Sequence, residues 1–353
     1  MKEISKMRHF PMLSAGAAAV MVHRVASILV AHKEQPDDCP WHECQNFTWW
    51  APAPGDGITT AFFSPTSFLS DPYIVKEGCG DICITFQRVL PGETMQKRVN
   101  CPALFSNTAA DAPMASWPPP KEPPASYRKD FLMGLERAVG YDVQYFAQRI
   151  SGTEGGFGKA DEIGWNDAHI RSLVRDVTAG KVKDGYGDAE TQALLTMVMR
   201  HREQFDGKHV LVVGSVTPWL EAVFVHIGAR NVTTVDYGIL PRNPHPKVNT
   251  MTPAELADAF LAGEAPMFEA GASYSSIEHS GLGRYGEALN PWADLQTMAK
   301  VWCVMEPGAP FILGVPTGKD SLTWNAGRRY GDLRLPHLTA NWELVEKGPS
   351  TRS

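Results

Sequence analysis

Residues 209–237, HVLVVGSVTPWLEAVFVHIGARNVTTVDY, restrict the fold of this chain more than any other stretch. An apolar run at 210–213 ends in Gly214 and Ser215. Residues 218–227 then place apolar side chains at helical spacing, Gly228 stops that run, and a second apolar run at 232–235 ends in Asp236. Short apolar runs bounded by glycine mark buried strands, and a 3.6-residue period between them marks a helix. The stretch reads as strand, tight turn, helix, tight turn, strand, the first half of a nucleotide-binding α/β unit. Glycine at the first turn lets the backbone approach a ligand at the helix N-terminus. An acid 22 residues on (236 − 214) is placed to accept hydrogen bonds from ribose hydroxyls. The first βαβ unit of any doubly wound domain looks similar, and an acid at a strand end often only caps a turn, so ligand binding and plain architecture both stay open here.

Elements of the same kind continue on either side. Residues 189–205 form an amphipathic helix with Leu194, Leu195, Val198 and Met199 on one face. Residues 238–246 read as loop and 253–261 as a short helix capped by Thr252. Residues 267–275 form an irregular strand, 290–303 a helix with Pro291 in its first turn, 311–315 a buried strand and 342–346 a last strand. Alternating strands and helices give an α/β class, a doubly wound Rossmann-like sheet over 126–353. Its start falls between 126 and 190, because 127–150 shows only mixed helical spacing and 151–158 is a glycine-rich turn.

The N-terminal part is of another kind. Residues 1–31 carry Lys2, Lys6 and Arg8 ahead of an apolar run at 11–22, which reads as a signal peptide or signal anchor. The run is short for a membrane span and Arg24 interrupts its continuation. An amphipathic helix or transit peptide is the alternative. Residues 32–125 are rich in Cys, Trp and Pro with little periodicity beyond a candidate strand at 82–89, and 113–124 reads as a stiff linker. Trp41, Trp49 and Trp50 would line a ligand groove or pack a small irregular core. Cys39, Cys44, Cys79, Cys83 and Cys101 lie here, and only Cys303 lies later. No pair has CxxC spacing, so no metal site is expected; disulfides in an oxidising compartment are, with reduced cysteines in a cytoplasmic chain as the alternative. A sequon at Asn46 fits the secretory pathway or membrane attachment through the N-terminus, whereas one at Asn231 runs into a strand and is expected to be buried. A net charge of −6 leaves no basic excess for nucleic acid.

Two loops carry the polar chemistry. Residues 275–290, SSIEHSGLGRYGEALN, follow a strand and so fall at the carboxyl edge of the sheet, where such folds bind ligands. His279 is a candidate general base, Glu278 would orient a substrate or pair with Arg284, and Tyr285 completes the set. The bland alternative is a capped turn with a satisfied histidine. Residues 317–330, TGKDSLTWNAGRRY, follow the next strand. Lys319, Asn325, Arg328 and Arg329 would meet an anionic substrate group there, or form a solvated face.

With residues 210–236, Ser276-Ile277-Glu278-His279 and Val304-Met305-Glu306-Pro307-Gly308, the chain resembles the class I S-adenosylmethionine (SAM)-dependent methyltransferase superfamily, in which an EH pair after the fourth strand and a PGG-like turn before the fifth recur. SSIEHSGLGRYG with GKDSLTWNAGRRYGDLRLP is similar to a nematode and bacterial domain family of unknown function with that fold, over about residues 185–346. The resemblance implies a methyltransferase-type sheet with SAM as cofactor, held by Gly214, Ser215, Asp236, Tyr237 and Ser276, with Asp236 on the ribose. The acceptor, a small molecule or saccharide, would lie under the two loops against Arg284, Tyr285, Lys319, Asn325 and Arg328, with His279 and Glu278 catalytic. The superfamily's GxGxG is here Gly214-Ser215-Val216-Thr217-Pro218, and Pro218 removes a backbone donor. Two rivals follow: a non-catalytic binding module on a degenerate nucleotide site, and an enzyme acting on a nucleotide-sugar.

Overall fold

A computed structural model describes residues 25–32, 95, 97, 99–107, 111, 114, 116–148, 164–182 and 188–348. The strand expected at 82–89, the sequon at Asn46, the glycine-rich turn at 151–158 and Cys39, Cys44, Cys79 and Cys83 lie outside them. In chain order the elements are β1 (Val25–His32), α1 (Cys101–Ser106), α2 (Arg128–Phe131), β2 (Gly140–Val143), α3 (Asp167–Thr178), α4 (Asp188–Arg200), β3 (His209–Val213), α5 (Trp219–Ile227), β4 (Asn231–Val235), β5 (Val248–Met251), α6 (Pro253–Leu261), β6 (Ala270–Tyr274), α7 (Ala293–Val304), β7 (Pro310–Pro316), β8 (Ser321–Trp324), β9 (Gly327–Arg329), α8 (Leu335–Leu338) and β10 (Trp342–Lys347).

Seven strands form the main sheet in the order β10-β1-β7-β6-β3-β4-β5. The five from β7 to β5 pair in parallel. From β3 the chain steps outward through β4 to β5, then crosses back to β6 and β7, so the winding direction reverses between β3 and β6. Side chains alternate between two cores. Val210 and Val212 face one with α4, α5 and the end of α3; Leu211 faces the other with α1, α6 and α7. The alternation recurs on β7, where Phe311, Leu313 and Val315 oppose Ile312. Helices therefore cover both faces, and the strands read as continuous apolar runs for that reason. Local signals set the element ends: Thr252 accepts from the Glu255 amide in a capping box, and Gly228 closes α5 at φ 105°.

Five features depart from the sequence expectations. Residues 25–32, the end of the stretch read as signal peptide or anchor, form β1 and pair antiparallel with both β7 and β10. A leader removed after residue 31 would take this strand away, and the sheet extends beyond 126–353 to include it. Among the described residues no helix is long and apolar enough to cross a membrane. Second, Cys101 bonds to Cys303, tying α1 to α7. Third, the described residues of the proline-rich stretch are docked rather than linking: the Pro119 and Pro120 carbonyls accept from Tyr145 Oη at 2.5 Å and Trp324 Nε1 at 2.9 Å. Fourth, 317–330 is no simple loop. It folds as the β8–β9 hairpin, which β2 joins in a second sheet of order β2-β8-β9. Fifth, Asn231 is exposed rather than buried, while Thr233 is buried and bonded to His209 Nε2 at 2.8 Å.

Candidate functional site

The carboxyl ends of β3, β4 and β6 bring most of the expected residues together. Gly214 ends β3 at φ 71°, a conformation that suits glycine. A Cβ built there would stand 1.7 Å from Ser276 Oγ, so this glycine and the serine that follows β6 close on each other across the winding reversal. Ser215 donates its amide to Asp236 Oδ2 at 2.9 Å, and Gly238 donates to Oδ1 at 2.6 Å. Burial raises the Asp236 carboxyl above its ordinary value against the pull of these two amides. Tyr237 beside it is half-buried, and its phenol is raised by burial and by the charges of Asp111, Glu287 and Asp236.

Beneath the 214–218 turn lies a residue the sequence reading passed over. Glu221, in the first turn of α5, is fully buried. Its Oε1 accepts from Thr234 Oγ1 at 2.7 Å and its Oε2 lies 3.1 Å from Ser215 Oγ, which also lies 2.8 Å from the Thr217 carbonyl. Burial pushes its pKa to about 7. The available signal was a lone acid in the first turn of the mostly apolar α5. Trp165 Nε1 holds the same turn from outside through the Val216 carbonyl at 2.9 Å.

After β6, Ser275 takes φ 49° and donates to Glu278 Oε1 at 2.7 Å. Glu278 is buried, its Oε2 has no hydrogen-bond partner, and burial raises its pKa to about 7. An orphaned buried carboxyl oxygen and a strained non-glycine backbone together mark a site held for something other than stability. His279 Nδ1 lies against the Ala326 carbonyl and 3.3 Å from Arg284 Nη1. Nε2 lies 3.6 Å from Glu278 Oε1. Arg284 donates to the Ala326 carbonyl at 3.0 Å and to Gln148 Oε1 at 3.1 Å, and its guanidinium stacks over Phe146 and Tyr285. Glu287 shapes the loop: it accepts the amides of Leu282, Arg284 and Tyr285 at 2.8–3.2 Å. Its carboxyl is also raised to about 7 by burial.

The second loop is corrected in role. Asn325 is fully buried at φ 57°, accepts the amides of Phe146 and Ala147 and donates to the Leu282 carbonyl at 3.1 Å. Arg328 is buried, donates to the Ser280 carbonyl at 2.6 Å and lies 3.8 Å from Asp294. Both hold loops together: Asn325 meets backbone amides and a carbonyl, and the Arg328 Nη atoms meet loop carbonyls while its Nε faces Asp294. Arg334 takes the bidentate pairing with Asp294, at 2.7 and 2.6 Å, and Tyr330 Oη adds a bond to the same carboxylate at 3.0 Å. Lys319 is exposed in the turn after β7, its side chain turned to solvent rather than into the buried network of Asn325 and Arg328. Residues before 126 reach the site: Met114 donates its amide to the Gly286 carbonyl at 2.7 Å, and Lys300 bonds Asp111 at 2.5 and 2.7 Å. Among the described residues no cluster of three or more His, Cys, Asp or Glu could hold a metal ion.

In chemical terms the edge offers three carboxyls that titrate near neutrality, one with an unused oxygen, and no uncommitted buried cation among the residues just described. That arrangement suits a ligand bringing hydroxyl or amino donors. Residues 207–351 match the model of a family described as Caenorhabditis protein of unknown function, DUF268, a span that takes in all five parallel strands and both loops. No curated protein and no solved structure matches the chain.

Proposed function

We propose that the chain is a Rossmann-like SAM-dependent methyltransferase acting on a hydroxyl-bearing small molecule or saccharide. The observation that carries this reading is Glu278, with its orphaned Oε2 and near-neutral pKa at the end of β6, beside the winding reversal where doubly wound sheets bind ligands. The residues fit the cofactor in chemistry. Asp236 has an acceptor lone pair left on each oxygen for a ribose diol, since each oxygen takes one amide. Gly214 keeps the backbone low beside it, and Ser276 would have to turn away to open that space. When bound, SAM supplies an electrophilic methyl group. Glu278 takes the acceptor's hydroxyl proton on Oε2, Ser275 holds the other oxygen, and His279 Nε2 lies beside the pair. Tyr285 and the Arg284 stack wall the acceptor side. Most of the rate gain comes from alignment.

A second reading, a non-catalytic binding module, draws support from Ser276 filling the space over Gly214. Calorimetric titration of the full chain with SAM and its demethylated product separates the two. Dissociation constants of about 1–100 μM, lost in Asp236→Ala, are expected for the methyltransferase; a folded chain that takes up neither compound favours the binding module.

A further inference from the structure

Ser215 stands between two buried carboxyls. Its amide donates to Asp236 Oδ2 at 2.9 Å and its hydroxyl lies 3.1 Å from Glu221 Oε2. Glu221 is itself fixed from the neighbouring strand by Thr234 Oγ1 at 2.7 Å. A carboxyl in a mostly apolar helix, fully out of solvent, is costly unless hydrogen bonds offset its burial, and here they come from Thr234 and Ser215. What it touches is the turn that orients the acid at the tip of β4.

We infer that Glu221 is a positioning residue for Asp236: it fixes Ser215, and Ser215 fixes the carboxylate that meets the ligand. As a role in ligand binding this rests on the reading above; as a statement about the turn it stands by itself. Asp236 is the charged group that faces Glu221, and the other partners, Ser215 and Thr234 with the Thr217 carbonyl, do not titrate in water's range. A glutamine can keep the geometry. Its oxygen accepts from Thr234, its amide donates to Ser215 Oγ, and the Ser215 hydroxyl turns to the Thr217 carbonyl. An alanine can do none of this.

The test is amide hydrogen exchange on the full chain. Glu221→Ala is expected to speed exchange at Ser215 by roughly tenfold, with Leu211 in β3 unchanged, and Glu221→Gln to stay within about threefold of the parent. An unchanged Ser215 amide in a folded Glu221→Ala chain overturns the proposal, as does a glutamine variant that exchanges as fast as the alanine one. Should the alanine variant not fold, the pH profile decides: protection at Ser215 in the parent should change between about pH 6 and 8, and change clearly less in Glu221→Gln, where Glu278 and Glu287 still titrate, and identical profiles overturn it. Titration with S-adenosylhomocysteine adds the ligand arm. About tenfold weaker uptake by Glu221→Ala, restored by glutamine, supports the role in binding. A parent chain that takes up none overturns the nucleotide reading, and exchange at Ser215 still decides the placement of Glu221.

Discussion

Cys101 and Cys303 are bonded with their Cα atoms 5.7 Å apart, so a residue read as part of a separate N-terminal region is fastened to α7, a helix covering one face of the main sheet. From there the described residues 107, 111, 114 and 116–124 run to the 281–287 loop, where Met114 and Pro119 meet it.

The disulfide closes 202 residues of separation, and chain-entropy reasoning assigns such a link about 5 kcal/mol at most. Cys101→Ser, or reduction of the parent, should lower the thermal midpoint markedly and loosen the Met114–Gly286 contact. Equal melting curves with and without reductant would show that the bond contributes nothing to the fold.

Gly214→Ala meets two costs at once, a φ of 71° and the Ser276 side chain. It should destabilise by about 2–4 kcal/mol. Ser276→Gly in the same chain should recover the steric share and leave the backbone share of roughly 1 kcal/mol. A double-mutant cycle by urea unfolding measures this, and strict additivity would deny the contact.

Asp294 gathers Arg334, Arg328 and Tyr330 in the interior. Burial would raise its carboxyl, but Arg328 and Arg334 more than reverse this and hold it below the ordinary value. A depressed folded pKa stabilises at pH values above the unfolded one and is lost as pH falls through the folded one. Asp294→Asn should therefore cost about 3–5 kcal/mol at neutral pH, and less in strong acid. A cost that does not change with pH would mean that the charges are not what the network needs.

Glu278 has the opposite sign. Its folded pKa is raised from 4.5 to about 7, so its contribution is complete below the unfolded value and fades as pH rises through the folded one. Glu278→Gln should remove on the order of 3 kcal/mol of that decline between pH 5 and 8. Glu221 and Glu287 titrate in the same window, so the variant keeps a residual slope. Unfolding curves at four pH values decide it, and parallel profiles for the two chains would place the ionisation elsewhere.

From β3 onward the sequence carries most of the architecture. Apolar runs bounded by glycine became β3, β4 and β7, and Thr252 capped α6 where its pattern required. β5, α3 and the β8–β9 hairpin were not legible, because short strands and polar-rich helices are stabilised by partners distant in sequence. β1 was read as a leader since a short run with six apolar residues of eight looks alike in a signal sequence and in a strand paired on both sides. In the site, Gly214, Asp236, Ser276, Glu278 and His279 stood out by position after strands. Arg328 and Asn325 were misjudged because backbone carbonyls and amides, invisible in a sequence, are what they bind.

The pairing of β1 sets an order of assembly. Ile28 aligns with Lys347 on one side and Leu313 on the other. On a ribosome this strand emerges first among the sheet's members and must wait through the synthesis of nearly all the rest before either partner exists. Until then its amides and carbonyls are unsatisfied and its apolar surface is open to chaperones or to other nascent chains. Maturation should thus be limited by closure of this one edge, long after the parallel strands have found each other.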